Sequence, residues 1–126
     1  MLVRIHPKEP EDPALLVNTR LGYLYRDAAN WKKWTEAVVA GRPTEEELAM
    51  IMDSLDDGEN FVPSKIGLPE NRFDTVNPDD GPWFEINTES FVPTAAEPDL
   101  AIDVHEIARR FAAAKGHWLE GSAWTT

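Results

Sequence analysis

Two stretches of the chain carry residue types that could do chemistry, and they point in opposite directions. The first is Trp31-Lys32-Lys33-Trp34, with Tyr23, Tyr25 and Arg26 nearby, where basic and aromatic side chains interleave. Aromatic faces stack bases and lysines meet phosphates, which is what single-stranded nucleic-acid binding requires. A Trp at an exposed tip can equally anchor a protein partner. The favoured reading is plainer: one Trp packs in the core while the lysines solvate a hairpin tip. The second stretch is acidic. From Glu45 to Glu106 seventeen carboxylates face only Lys65 and Arg72. Glu45, Glu46, Asp53, Asp56, Asp57, Glu59, Asp79, Asp80 and Glu85 are the candidates for a face that binds a basic partner. The same carboxylates could perform acid–base hydrolysis if burial raised the pKa of one of them, which a sequence does not reveal.

Other chemistries find less footing. The absence of cysteine excludes disulfide scaffolds, thiolate zinc sites and cysteine nucleophiles. His6, His105 and His117 have neither the i, i+4 spacing nor the short loop spacing of zinc ligands. Asp56-Asp57-Gly58-Glu59-Asn60 and Asn77-Pro78-Asp79-Asp80-Gly81 are oxygen-rich but do not follow the alternating calcium loop, and read as turns. The glycines are scattered singly, without a nucleophile elbow, a phosphate-cradling loop or a dinucleotide fingerprint. No metal and no cofactor are therefore expected, and an interaction protein is favoured over an enzyme.

The elements that must position these residues fit in one domain, since 126 residues suffice for one modest core. The formal net charge of -11 is unevenly spread. Residues 1–42 hold seven basic and five acidic side chains, whereas residues 43–126 hold five basic and eighteen acidic. Such a surface repels nucleic acid, so the expected partner is a basic protein surface and nucleic acid is disfavoured. The plainer account is a solvated acidic surface that maintains solubility. No apolar run is long enough to span a bilayer, so no membrane partner is expected. Met1 to Pro7 is too short and too soon interrupted for a signal-peptide core, so a cytoplasmic protein is the expectation.

Along the chain, Leu2–Ile5 reads as a short strand followed by an exposed loop at Pro7, Pro10 and Pro13. Ala14 to Val17 fits either a strand or a helical turn. Leu21–Asp27 and Glu36–Ala40 are β-favouring and flank Ala28–Thr35, a long-loop hairpin over about 21–40. Thr44-Glu45-Glu46-Glu47 is a capping box opening a helix over about 45–56, with Leu48, Ile51, Met52 and Leu55 as its apolar face and Gly58 as its left-handed terminator. A second helix over about 104–115 has Asp103 as cap, Glu106 completing a box, Val104, Ile107, Ala108 and Phe111 as its stripe, and Gly116 as its stop. Trp83-Phe84-Glu85-Ile86 alternates like a half-buried strand. His117 to Gly121 is expected to fold back onto the body, and residues 122–126 to fray. The whole predicts an α+β fold, a small mainly antiparallel sheet covered by two helices.

Tyr23-Leu24-Tyr25-Arg26-Asp27-Ala28-Ala29-Asn30, Glu36 to Gly41, Leu55 to Pro63, Ile66-Gly67-Leu68-Pro69 and Asp79-Asp80 before Trp83-Phe84-Glu85 together resemble a group of small bacterial and phage-type proteins of uncharacterised function. The resemblance covers roughly residues 21–86. It departs from the group's pattern at Trp31, where a smaller aromatic ring is expected, and at Gly81-Pro82-Trp83, where a His-containing turn is usual. It implies no activity, but an association with mobile elements. The reading placed first is thus an acidic interaction module, in its sharpest form an inhibitor that mimics nucleic-acid charge to block a host defence complex. A small carboxylate-based hydrolase or nucleotide-processing enzyme comes second, and a single-strand binder through Trp31–Trp34 third.

Overall fold

The computed structural model describes residues 12–71 and 81–120, so the expectations for Leu2–Ile5, Asp79, Asp80 and residues 122–126 lie outside the described residues. The Asp12 carboxylate accepts from the Ala14 amide and starts one 3-10 turn, Pro13–Leu15. Strands β1 (Asn18–Arg26) and β2 (Lys32–Val39) then pair antiparallel from Thr19↔Val39 to Arg26↔Lys32. Helix α1 (Glu45–Ser54) follows, then β3 (Asn60–Phe61), β4 (Phe84–Glu85), β5 (Phe91–Thr94) and helix α2 (Val104–Ala114). The sheet order is β2-β1-β4-β3, and β5 also pairs with β1. This is the expected α+β architecture.

β1 organises the sheet. Its first half pairs with β5, from Asn18↔Thr94 to Leu21↔Phe91, and its second half pairs with β4 at Leu24↔Glu85 and Tyr25↔Phe84. β4 and β5 therefore lie along the same edge of β1, separated by the 3-10 turn Thr88–Ser90. Glu59-Asn60-Phe61-Val62-Pro63 and Glu89-Ser90-Phe91-Val92-Pro93 are alike, and β3 and β5 each set the phenylalanine of that pattern, Phe61 or Phe91, into the core.

Strand alternation divides the sheet into two faces. Leu21, Tyr23, Tyr25, Val39, Phe61 and Phe84 join Ile51 and Leu55 of the α1 region and Val104, Ile107, Ala108 and Phe111 of α2 in one core. Arg20, Leu24 and Arg26 of β1 share the opposite face with Lys32, Trp34, Glu36 and Val38 of β2 and with Glu85. Both helices pack on the first face.

The capping box of α1 is present: the Thr44 hydroxyl accepts from the Glu47 amide at 3.0 Å, and the Thr44 amide donates to the Glu47 carboxylate at 2.9 Å. The helix ends at Ser54, two residues before the expected boundary, because Leu55 turns extended and is buried in the core. Gly58 does adopt a left-handed conformation, but as part of a turn with Asp57 (φ 54° and 76°) that bridges Asp56 to Asn60 rather than as the helix terminator. At α2, the Asp103 carboxylate accepts from the Glu106 amide at 2.8 Å. The expected reciprocal half of that box is replaced, since the Glu106 carboxylate takes Arg109 and Arg110 instead. His105 Nδ1 lies 2.9 Å from both Glu47 oxygens and ties the first turns of the two helices together. Trp118 folds back as expected, donating its indole N–H to the Ser54 carbonyl at 2.8 Å.

These caps have a pH signature. Glu47 is held below the ordinary glutamate range, first by the Thr44 amide and then by His105; the Glu106 amide lowers Asp103, and Arg109 chiefly lowers Glu106. A carboxyl depressed in the folded state stabilises fully above its unfolded value and loses that contribution as pH falls through its folded value. The stability difference between wild type and Glu47→Gln is therefore expected to be full at neutral pH and to close progressively below 4.5, the ordinary glutamate value. Urea unfolding at several pH values measures that gap.

The free edge of β2 is partly plugged. The Val38 amide donates to the Asp99 carboxylate at 2.8 Å, and the Asp99 amide donates back to the Val38 carbonyl at 2.8 Å. Nearer the turn, the Asn71 side-chain amide donates to the Trp34 carbonyl at 2.9 Å. Open edges invite intermolecular strand pairing. Asp99→Ala is expected to cost about 1 kcal/mol and to shift the protein toward larger species in light scattering; an unchanged size distribution would show that Asp99 does not guard this edge.

Candidate functional site

The predicted aromatic-basic loop is taken apart by the register. The Asp27 carboxylate accepts from the amides of Ala29 and Trp31, and Asn30 takes a positive φ of 67°, which closes the hairpin over Asp27–Trp31. The connection is thus five residues, shorter than the eight expected, and Lys32, Lys33 and Trp34 belong to β2 rather than to a loop. Alternation puts Lys32 and Trp34 on the face away from the helices and Lys33 beside Tyr25 on the other. Trp31 stands at the tip, 69% exposed, and Trp34 lies across from Leu24, 39% exposed. These four side chains do not form one stacking platform, and neither Trp is a core residue. Among the described residues the buried Trp is Trp118, and Trp83 packs partly buried against the same core.

The acidic candidates also divide. Asp53 pairs with Lys115 at 2.7 Å, and Glu85 pairs with Arg26 at 2.8 Å, so two of the nine are neutralised by the fold. The Arg26 guanidinium is raised further from its already high range, chiefly by its hydrogen bond to Glu85. Glu45 and Glu46 occupy the exposed first turn of α1, where the helix dipole stabilises negative charge. Asp56, Asp57 and Glu59 follow on the exposed turn after that helix. These five form no side-chain hydrogen bond or ion pair among the described residues. The basic side chain described between Glu45 and Glu106, Lys65, donates to the Glu120 carbonyl.

Beside the turn after α1, on the face of the sheet away from the helices, lies a groove of about 270 Å³, with Leu24, Trp34, Glu59, Glu85 and Ile86 among its lining residues. Its walls come from three regions distant in sequence, joined by Leu24↔Glu85 and by the Ile86 amide donating to the Glu59 carbonyl at 3.0 Å. Nothing local in the sequence marks Trp34 as its aromatic wall; only the cross-strand register does.

Comparison with protein-family models, with curated proteins and with solved structures finds no match to this chain. The site must therefore be read from its own chemistry. A carboxylic acid that donates a proton at neutral pH needs burial away from cations. Glu59 is exposed and Glu85 is paired with Arg26 at 2.8 Å, so neither is a carboxyl buried away from cations. Among the described residues, no three His, Asp or Glu side chains gather as metal ligands would, and no helix is long and apolar enough to cross a membrane.

Proposed function

We propose that the protein is a non-enzymatic interaction module whose acidic surface engages a basic protein partner. The observation that carries this reading is the set Glu45, Glu46, Asp56, Asp57 and Glu59, exposed on α1 and the adjoining turn and left without a neutralising side chain among the described residues. Charge of one sign on neighbouring segments steers an oppositely charged partner and raises the rate of encounter. In its sharpest form the partner is a surface that otherwise holds nucleic acid, and the module inhibits a host defence complex by mimicking that charge. The resemblance to proteins associated with mobile elements and the net charge of -11 support this form.

The test is capture of partners on the immobilised protein, alongside a variant carrying Glu45→Gln, Glu46→Gln, Asp56→Asn and Asp57→Asn. Expected is a basic protein whose retention falls as salt rises and falls again, in graded steps, as the carboxylates are neutralised. If retention is unaffected by salt and by all four substitutions, the acidic surface is not the interface.

A further inference from the structure

We infer that Asp57-Gly58 is a site of spontaneous backbone modification, at which the folded chain converts aspartate to isoaspartate. The inference goes beyond the interaction reading and does not rest on it. The reaction is intramolecular: a backbone nitrogen attacks the side-chain carboxyl carbon of the aspartate before it. A bond forms between the Gly58 nitrogen and Asp57 Cγ, and the amide proton and the carboxyl's OH leave together as water. Water then opens the resulting succinimide ring. Hydrolysis of the new bond restores aspartate. Hydrolysis of the original main-chain bond leaves the backbone running through Cβ and Cγ, with a free α-carboxylate. One water is released and one consumed, and no other reactant is needed.

The turn after α1 meets the requirements of that step together. The attacked carboxyl must be unengaged: Asp57 is exposed, and its side chain takes no hydrogen bond or ion pair among the described residues. The attacking nitrogen must be unhindered: Gly58 has no side chain, and nothing lies within 4 Å of the position a Cβ would take. Its amide donates no hydrogen bond among the described residues, those of the turn coming from Asp56, Glu59 and Asn60. The peptide between them must rotate: Asp57 holds a φ of 54°, a sparsely populated region for a residue with a side chain, beside a glycine with wide backbone freedom. Neighbouring aspartates lack this combination. Asp53 is paired with Lys115, and Asp56 precedes a residue with a side chain. Asn-Gly, the other dipeptide prone to this ring closure, does not occur, and the second Asp-Gly, Asp80-Gly81, has its aspartate outside the described residues. Conversion keeps the charge but lengthens the loop that Asp56 and Asn60 close with hydrogen bonds of 2.8 and 2.9 Å, just before Phe61 enters the core.

The test holds the whole folded chain at neutral pH in water enriched in heavy oxygen, then maps tryptic peptides by mass spectrometry with electron-transfer fragmentation. An isoaspartyl methyltransferase with labelled S-adenosylmethionine reports the free α-carboxylate independently. Expected is heavy-oxygen uptake and isoaspartate at Asp57 that rise with time, several-fold above Asp53 and Asp56 of the same peptide. Gly58→Asn keeps a residue that tolerates the left-handed backbone and adds a side chain, and is expected to slow conversion several-fold. Asp57→Glu, whose ring is one atom larger, is expected to abolish it at this position. The amide NMR spectrum of each variant reports whether the fold is kept. Conversion at Asp57 only after denaturation in urea overturns the inference, because the folded turn then protects the bond. Unchanged conversion in folded Gly58→Asn, or conversion at Asp80 with none at Asp57, overturns it as well.

Discussion

Phe61→Ala is expected to cost about 3–5 kcal/mol, a large part of the total stability of a domain this size. Phe61 is fully buried, and its ring touches four others: Tyr23 at 5.3 Å and Phe84 at 6.5 Å within the sheet, Phe111 of α2 at 5.3 Å and Trp118 at 6.1 Å. It is the residue through which the sheet, the second helix and the segment after it meet. Removing the ring leaves a cavity bounded by rigid aromatic plates that cannot readily collapse into it, which places the cost toward the upper end of that range. Urea unfolding should show a lower midpoint. Phe61→Leu, which refills most of the volume, should recover more than half of the loss. Equal stability of Phe61→Ala and wild type would show that the aromatic cluster does not hold the domain together.

Trp118→Ala is expected to be of similar size, about 3–5 kcal/mol, for a different reason. Trp118 is outside any helix or strand, yet it is buried against Phe61 and Phe111 and closes the end of the core. Its indole N–H satisfies the Ser54 carbonyl at the end of α1, where the helix has no further amide to offer. Trp118→Phe keeps much of the packing and leaves that carbonyl unpaired, so it should lose about 1–3 kcal/mol. The difference between the two variants in chemical denaturation separates packing from the hydrogen bond. Were Trp118→Phe as damaging as Trp118→Ala, the hydrogen bond rather than the ring would carry the contribution.

What could be foreseen from the residues follows from how local each cause is. The start of α1 is legible because Thr44 and Glu47 satisfy each other within four residues, and the α2 stripe because helical periodicity is itself local. The end of α1 is not legible locally, because Leu55 obeys a tertiary demand, burial, that overrides the continuing helical pattern. Read locally, Trp31–Trp34 suggests a loop because two adjacent lysines suggest solvent. The exposed start of an edge strand tolerates lysine, however, so polarity at Lys32 and Lys33 does not imply irregular backbone. The acidic surface could be expected in outline from composition. Which of its members are neutralised could not, since Asp53 meets Lys115 and Glu85 meets Arg26 across more than fifty residues of chain. The groove was invisible for the same reason.

The placement of β4 and β5 along one side of β1 also sets a timetable for folding. β1 and β2 are joined by five residues, so their pairing closes a short loop and needs no other part of the chain. The other side of β1 must wait for partners near Phe84 and Phe91, and each of those closures brings together distant points of the polymer at a higher entropic cost. A hairpin of this kind zips within microseconds, whereas the second side is limited by chain diffusion and by prior assembly of the apolar layer. Until that side closes, β1 carries an unpaired edge, and during this interval the chain is most open to pairing with a copy of itself.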